Sequence, residues 1–174
     1  HNPLRFTAEN LTSEEQLDLY GKLLLPRMIE EKMMSQLRQG KISKWFSGMG
    51  QEAISVGVAA AMPDDKFIFP MHRNLGVFTT RNVPLDRLFS QFQGKNHGFT
   101  KGRDRSFHFG SPEHKIVGMI SHLGPQLGLA DGVALSEKLD QNGGCSFVFT
   151  GDGGASEGDF HEAVNAVSYT HLRA

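Results

Sequence analysis

The segment Cys145–Ala166, "CSFVFTGDGGASEGDFHEAVNA", decides how this chain folds. A run of β-formers, Phe147, Val148 and Phe149, meets Gly151-Asp152-Gly153, and a helix-like stretch follows. In parallel α/β sheets ligands sit beyond the carboxyl ends of strands, and this corner is such a position. Asp152 offers a hard oxygen ligand there, while the flanking glycines permit a tight backbone and leave room for a bulky anion. The helix, expected to start near Ser156 or Glu157, adds a partly positive N-terminus. A carboxylate beside an anion-binding helix start makes sense when Mg²⁺ lies between carboxylate and phosphate. Rival motifs fail on their residues. A dinucleotide fingerprint needs glycine where Ser156 stands, a P-loop needs Gly-Lys-Ser/Thr where the chain has Gly158-Asp159-Phe160, and Asp152, Glu157 and Asp159 are out of EF-hand register. Gly-Asp-Gly alone is more often the mark of a turn with a solvated aspartate, so its surroundings must decide.

Working outward, Thr12 and Glu15 have capping-box spacing, and Leu17, Tyr20, Leu24, Met28, Met33 and Leu37 form a helical stripe. Pro26 should kink or split that helix, and Gly40 should stop it. "GKISKWFSGMG" reads as a hairpin or extended loop, and "QEAISVGVAAAM" as a small-residue helix ended by Pro63. "KFIFPMHR" is a buried strand leading into polar residues, and "LDRLFSQFQG" a short amphipathic helix. The stretch "KNHGFTKGRDRSFHFGSPEHK" is a long ordered loop. "SHLGPQLGLADGVALSEKL" is a further helix, which "QNGG" turns into the strand before Gly151. Strands alternating with helices predict an α/β fold with a parallel sheet flanked by helices.

The chain has 174 residues, enough for one domain with a real core, and its formal net charge of −1 gives no electrostatic reason to bind nucleic acid or an anionic membrane. No apolar stretch is long enough to span a bilayer. The one cysteine, Cys145, precludes an internal disulfide, is compatible with a reducing cytosol, and belongs to the core of its strand. The chain begins with His1 rather than Met, so a true N-terminus upstream is expected.

"GDGGASEGDFHEAVN" resembles the first half of the thiamine diphosphate motif found in the α part of 2-oxo acid dehydrogenase E1 components. Four further segments agree in the family's order: "GMGQEAISVG", "MHRNLG", "KGRDRSFHFG" and "ISHLGPQLGLADGVAL". The resemblance covers about residues 12–166 and implies a thiamin-diphosphate-binding fold cut short on its C-terminal side. It divides the chain into an N-terminal helical segment, 1–40, a partial cofactor-binding domain, 41–166, and a tail, 167–174, outside the family pattern.

By this resemblance Arg73 binds the cofactor diphosphate, and its fork suits two hydrogen bonds to phosphate oxygens. His72 stands where the family keeps an aromatic and either donates to phosphate, packs on the ring or is an ordinary strand-end histidine. Asp152 aligns with a Mg²⁺ ligand, and Gly151, Gly153 and Gly154 with the diphosphate-binding backbone. Glu157 is either the family's acid near the cofactor or a solvated helix start. Leu123 aligns with the apolar wedge that bends the cofactor, a catalytic role, and backbone at Ser121 and Leu123 holds the aminopyrimidine. His122 and Gln126 align with a monovalent-cation (K⁺) loop, although Pro125 replaces a common hydroxyl residue. His108 orders the loop at the active-site entrance, and Arg103 and Arg105 are either part of it or solvated charges.

The implied reaction is oxidative decarboxylation of a 2-oxo acid with acyl transfer to the lipoyl group of an E2 partner. "SEGDFHEA" and "GRDRSFHFG" look closer to the branched-chain members, acting on 3-methyl-2-oxobutanoate, than to pyruvate or acetoin enzymes. An E1 β part is the expected partner, in a heterotetramer or a homodimer of fused chains, in a bacterial cytoplasm or, in a eukaryote, the mitochondrial matrix. The family motif runs roughly thirty residues from Gly-Asp-Gly to Asn-Asn, which completes the Mg²⁺ sphere. "GASEGDFHEAVNAVSYTHLRA" does not reach that far, so an N-terminal fragment, inactive alone, is expected. A truncated subunit with only an assembly role is the non-enzymatic alternative.

Overall fold

The computed structural model describes residues 10–119, 121 and 123–174. Helix α1, Ser13–Arg38, opens on the expected capping box: Glu15 N–H donates to Thr12 Oγ1 at 3.2 Å, and Thr12 N–H donates to Glu15 Oε2 at 2.7 Å. It ends at Gln39, and Gly40 takes the left-handed φ of +69° that follows. Of the two outcomes expected at Pro26, a kink or a split, the split does not occur: one helix runs through the residue, which is buried. The expected course of the apolar stripe is corrected. The apolar stripe faces outward over its first half, with Leu17 72% and Tyr20 62% exposed, because burial in α1 begins only at Pro26 and continues at Ile29, Glu30 and Met33.

Helix α2, Glu52–Ala61, starts at the Gln-Glu-Ala segment and is fastened to α1 by a two-pronged ion pair. Arg27 Nε donates to Glu52 Oε1 at 2.7 Å and Nη2 to Oε2 at 3.0 Å, while Gly50 N–H donates to Oε2 at 2.9 Å. Helix α3, Leu75–Thr80, was not foreseen: all its residues are buried against α1 and α2, so no polar face exists to reveal a helical period. Gly76 permits that packing, since a Cβ there would lie 2.5 Å from Ser55 Oγ and 2.8 Å from a Val56 methyl. Helix α4, Leu85–Phe92, buries Leu88, Gln91 and Phe92.

The sheet is small and parallel. Strand β1, Ile68–Phe69, pairs with β2, Phe147–Val148, in the register Ile68 to Phe147 and Phe69 to Val148. On its other side Ile68 makes a parallel bridge to Ile116. The chain thus leaves β1, returns at Ile116 on one flank, and crosses to β2 on the other through α5, Pro125–Leu139. The α/β expectation therefore holds in its coarse form, helices around a small parallel sheet. After β2 an unforeseen single turn, α6, Asp152–Ala155, comes first, closed by Ala155 N–H onto Gly151 O at 2.8 Å. The helix expected from near Ser156 or Glu157 follows as α7, Gly158–Thr170, with Glu157 as N-cap, and continues past Ala166.

The core holds an aromatic cluster among its aliphatic side chains. Phe107 lies 5.3 Å from Trp45, 5.1 Å from Phe92 and 5.7 Å from Phe78, ring centre to ring centre. Phe107 belongs to the long loop, ordered as expected and interrupted by one 3₁₀ turn at Pro112–His114. Buried Gln91 clamps this loop: its Nε2 donates to Thr100 Oγ1 at 2.9 Å and Arg105 O at 3.0 Å, and Oε1 accepts from Thr100 N–H at 3.0 Å. Cys145 is only half-buried at the start of its segment. Among the described residues no helix is long and apolar enough to cross a membrane.

The hydrogen bonds from Arg27 hold the Glu52 carboxyl below its ordinary value of 4.5 against the opposing effect of burial. A lowered folded pKa contributes stability that is present above the unfolded value and lost as pH falls through the folded one. Glu52→Gln should therefore destabilise the fold near neutrality and flatten the acid limb of its stability curve below about pH 4.5, read by urea unfolding across pH. Phe107→Ala should cost about 3–5 kcal/mol at any pH in the same assay.

Candidate functional site

The parallel ladder points the carboxyl ends of three segments the same way. His72 and Arg73 follow β1, residues 117–119 follow the Ile116 bridge, and Gly151 to Gly154 follow β2. The chain order reverses between β1 and β2, which makes the crevice between their ends the topological switch point where open α/β sheets bind ligands.

On the β1 side a tight turn aims Arg73 outward. Asn74 is buried, its Oδ1 accepts from Met71 N–H at 2.8 Å, and its own N–H donates to Met71 O at 3.1 Å. Arg73 Nη1 donates to His72 Nε2 at 2.7 Å, so that imidazole nitrogen is an acceptor. Burial, and then the positive neighbours Arg73, His108 and Lys44, push the His72 pKa down, which favours the same neutral form. The exposed Arg73 has no carboxylate partner among the described residues.

Sequence reasoning missed what holds Arg73 in place. Glu30, 1% exposed on α1, accepts from Trp45 Nε1 at 2.7 Å and from Gly48 N–H at 2.9 Å. Gly48 in turn lies against the Arg73 carbonyl: a Cβ on it would stand 2.1 Å from that oxygen. Glu30 thus fixes the 45–48 segment on which the Arg73 backbone rests. Its signal was an acid between Ile29 and Met33 on the buried face of α1, a place that demands a partner.

On the β2 side Gly151 is extended, Asp152 is exposed, and a Cβ on Gly151 or Gly153 would meet nothing within 4 Å. Gly154 is buried, and its Cβ position lies 2.6 Å from Thr150 Oγ1 and 3.7 Å from Leu123 Cβ. Half-buried Leu123 is therefore brought against the Gly-Asp-Gly corner. The buried Thr150 Oγ1 has no protein partner. Gln126 is buried beneath, its Nε2 donating to Phe149 O while Oε1 is left without a partner. Ser121 is exposed and its Oγ meets His108 Nε2 at 3.0 Å. His122 lies outside the described residues. Glu157 and Asp159 turn toward the start of α5, where a Cβ on Gly124 would lie 2.8 Å and 2.3 Å from their carboxylate oxygens. That placement complements the α5 N-terminus.

These groups suit a diphosphate with its metal. Arg73 supplies the guanidinium, the glycines leave the backbone open, and Asp152 supplies one carboxylate. Among the described residues no three His, Cys, Asp or Glu side chains form a metal cage. Mg²⁺ suits one carboxylate plus phosphate oxygens, so this donor set fits a phosphate-borne ion. A cavity of about 680 Å³ shares His72 and is bordered by His108 and Arg105; Arg103 is exposed and outside its lining.

The dehydrogenase E1 component family matches residues 20–173. The mitochondrial 2-oxoisovalerate dehydrogenase subunit alpha of Dictyostelium discoideum is 35% identical over 156 residues, 90% of this chain and 35% of that protein. The subunit of the same name in Bacillus subtilis is 34% identical over 163 residues, 92% of this chain and 49% of that protein. The Homo sapiens mitochondrial protein is 32% identical over 156 residues, 90% of this chain and 35% of that one. The chain thus spans about a third to a half of the length of these relatives.

Gly48→Ala should displace the Arg73 backbone and weaken binding of Mg²⁺–pyrophosphate by on the order of tenfold, the worth of one charge-assisted hydrogen bond. Calorimetric titration reads the affinity, and an unchanged value would detach Arg73 from the anion.

Proposed function

We propose, for a chain that belongs to the dehydrogenase E1 component family, that the whole protein is the α part of a thiamine-diphosphate-dependent 2-oxo acid dehydrogenase. It decarboxylates a 2-oxo acid and passes the acyl group to a lipoyl group on E2. The observation that carries this reading is the convergence of Arg73, Leu123 and the Gly151–Gly154 corner at the carboxyl edge of one parallel ladder. The relatives are named for 2-oxoisovalerate, which makes that branched-chain acid the reference substrate ahead of pyruvate and acetoin.

When bound, thiamine diphosphate supplies a carbon nucleophile for the keto carbon and an electron sink for the departing CO₂. Arg73, oriented by neutral His72, would neutralise the diphosphate, with open backbone at Gly151, Gly153 and Gly154 donating to it. Asp152 would hold Mg²⁺ against the phosphate oxygens. Leu123, seated on Gly154, would wall the aminopyrimidine side and exclude water, while Ser121 contributes backbone and is steadied by His108. Gln126 Oε1, buried and unpartnered, would serve a monovalent cation such as K⁺ together with His122. An E1 β part, separate or fused, and a lipoyl E2 are the partners, in a reducing compartment: a bacterial cytoplasm or a mitochondrial matrix.

Asp152→Asn in the full-length protein with its β part should lower Mg²⁺-dependent thiamine diphosphate affinity at least tenfold by calorimetry. An unchanged affinity would remove Asp152 from the metal. Leu123→Ala should reduce kcat by more than it weakens cofactor affinity, and an unaffected rate would reduce Leu123 to packing.

A further inference from the structure

Helix α1 carries an apolar face that the fold leaves open. Leu17, Tyr20, Leu24 and Met28 are all exposed, and their near-helical spacing sets them on one side of α1 over about 17 Å. Gly21 lies within the stripe, and a Cβ on it would meet nothing within 4 Å. Single apolar side chains scattered over a surface are ordinary, whereas a contiguous line of large ones is a contact surface. A helix that lies on a lipid surface flanks such a stripe with Lys and Arg. Here Glu14, Glu31 and Lys32 border it, so both signs are present.

The charges at the two ends of the stripe identify its occupant. Glu14 and Lys32 are exposed, and among the described residues neither has an ion-pair partner within 4.0 Å. From residue 14 to residue 32 is about five whole helical turns, so the two stand on the same flank, one at each end. Their midpoint is residue 23, and the midpoint of Leu17 and Met28 falls between residues 22 and 23. Charge and apolar surface therefore share one centre. A face with opposite charges at equal distances from its centre is complementary to an antiparallel copy of itself.

We propose that α1 packs against α1 of a second copy of this chain, antiparallel about a two-fold axis near residue 23. Such an axis reverses the helix direction and keeps the flank, so Glu14 of each copy faces Lys32 of the other. Leu17 of each copy faces Met28 of the other, and Gly21 meets Leu24 at the centre, where the missing side chain lets the two helices close. Each exposed ion pair is weak alone, but the symmetry makes two of them and they fix the register. The contact goes beyond the dehydrogenase reading, which calls for a β part and leaves this face of the α part unassigned.

The test uses the full-length protein assembled with its β part. Leu17→Cys combined with Met28→Cys, mildly oxidised with diamide, should give a covalent link between two copies that the wild type and either single variant lack, because only the pair brings thiols within bridging distance. Glu14→Lys should cut that product about threefold or more, and adding Lys32→Glu should restore it, since the exchanged charges again face each other. Absence of the product, a link from Leu17→Cys alone, or a charge exchange that fails to rescue would overturn the antiparallel pairing. Thiol labelling of Leu17→Cys distinguishes the other occupants. Rapid labelling in the assembled protein would leave the face free, and labelling slowed only when the β part is added would assign it to that part; both overturn the proposal. Turnover enters none of these readouts, so the dehydrogenase reading stands or falls separately.

Discussion

Ile68 and Phe69 are two residues of backbone on which both flanks of the site depend. Ile68 N–H donates to Lys115 O and Ile68 O accepts from Val117 N–H, each at 3.0 Å. On the opposite side Phe67 O and Phe69 O accept from Phe147 and Phe149 N–H at 3.3 and 3.0 Å. A parallel ladder fixes direction as well as distance, so the segments leaving it emerge at one edge. Without β1 between them, neither the Arg73 turn nor the Gly-Asp-Gly corner would have a common frame. The ladder is short, and the packing around it supplies its stability: Ile68 is fully buried, and Phe69, Ile116 and Phe149 are nearly so.

A second constraint acts from the helical side. Glu30 is a buried carboxylate whose two oxygens are both engaged, one by the indole of Trp45 and one by Gly48. Removing either donor would leave part of a charge unpartnered in the core, so the arrangement resists drift. Through Gly48 it sets the backbone of Arg73, and through Trp45 it joins the aromatic cluster that carries Phe107 and the loop leading to His108. One interior acid thus couples the backbone of Arg73 to the aromatic cluster and the loop that carries His108.

Much of this was legible in the sequence where local chemistry dictates conformation. The Thr12–Glu15 capping box, the stop at Gly40, the helix opening at Gln51 and the strand before Gly151 each have a local cause and stand where expected. Features set by tertiary packing were not legible. Helix α3 is buried on every face and shows no period. Pro26 is tolerated mid-helix, and Leu17 and Tyr20 look like core residues but face outward because nothing among the described residues covers that half of α1. At the site, Asp152 and its flanking glycines were legible from the strand end itself, Arg73 and Leu123 only through the family resemblance, and the structure sets Leu123 against Gly154. Glu30 and Gly48 were invisible because their roles arise only when the 45–48 segment folds across the Arg73 carbonyl.

Hydrogen–deuterium exchange of the full-length protein, with and without Mg²⁺ and thiamine diphosphate, would examine the shared edge in one measurement. Joint protection of peptides covering residues 70–76, 119–126 and 150–158 is expected if the three carboxyl ends clasp a single diphosphate cofactor. Protection at 150–158 alone, or at none of the three, would contradict a site built across the β1–β2 crevice.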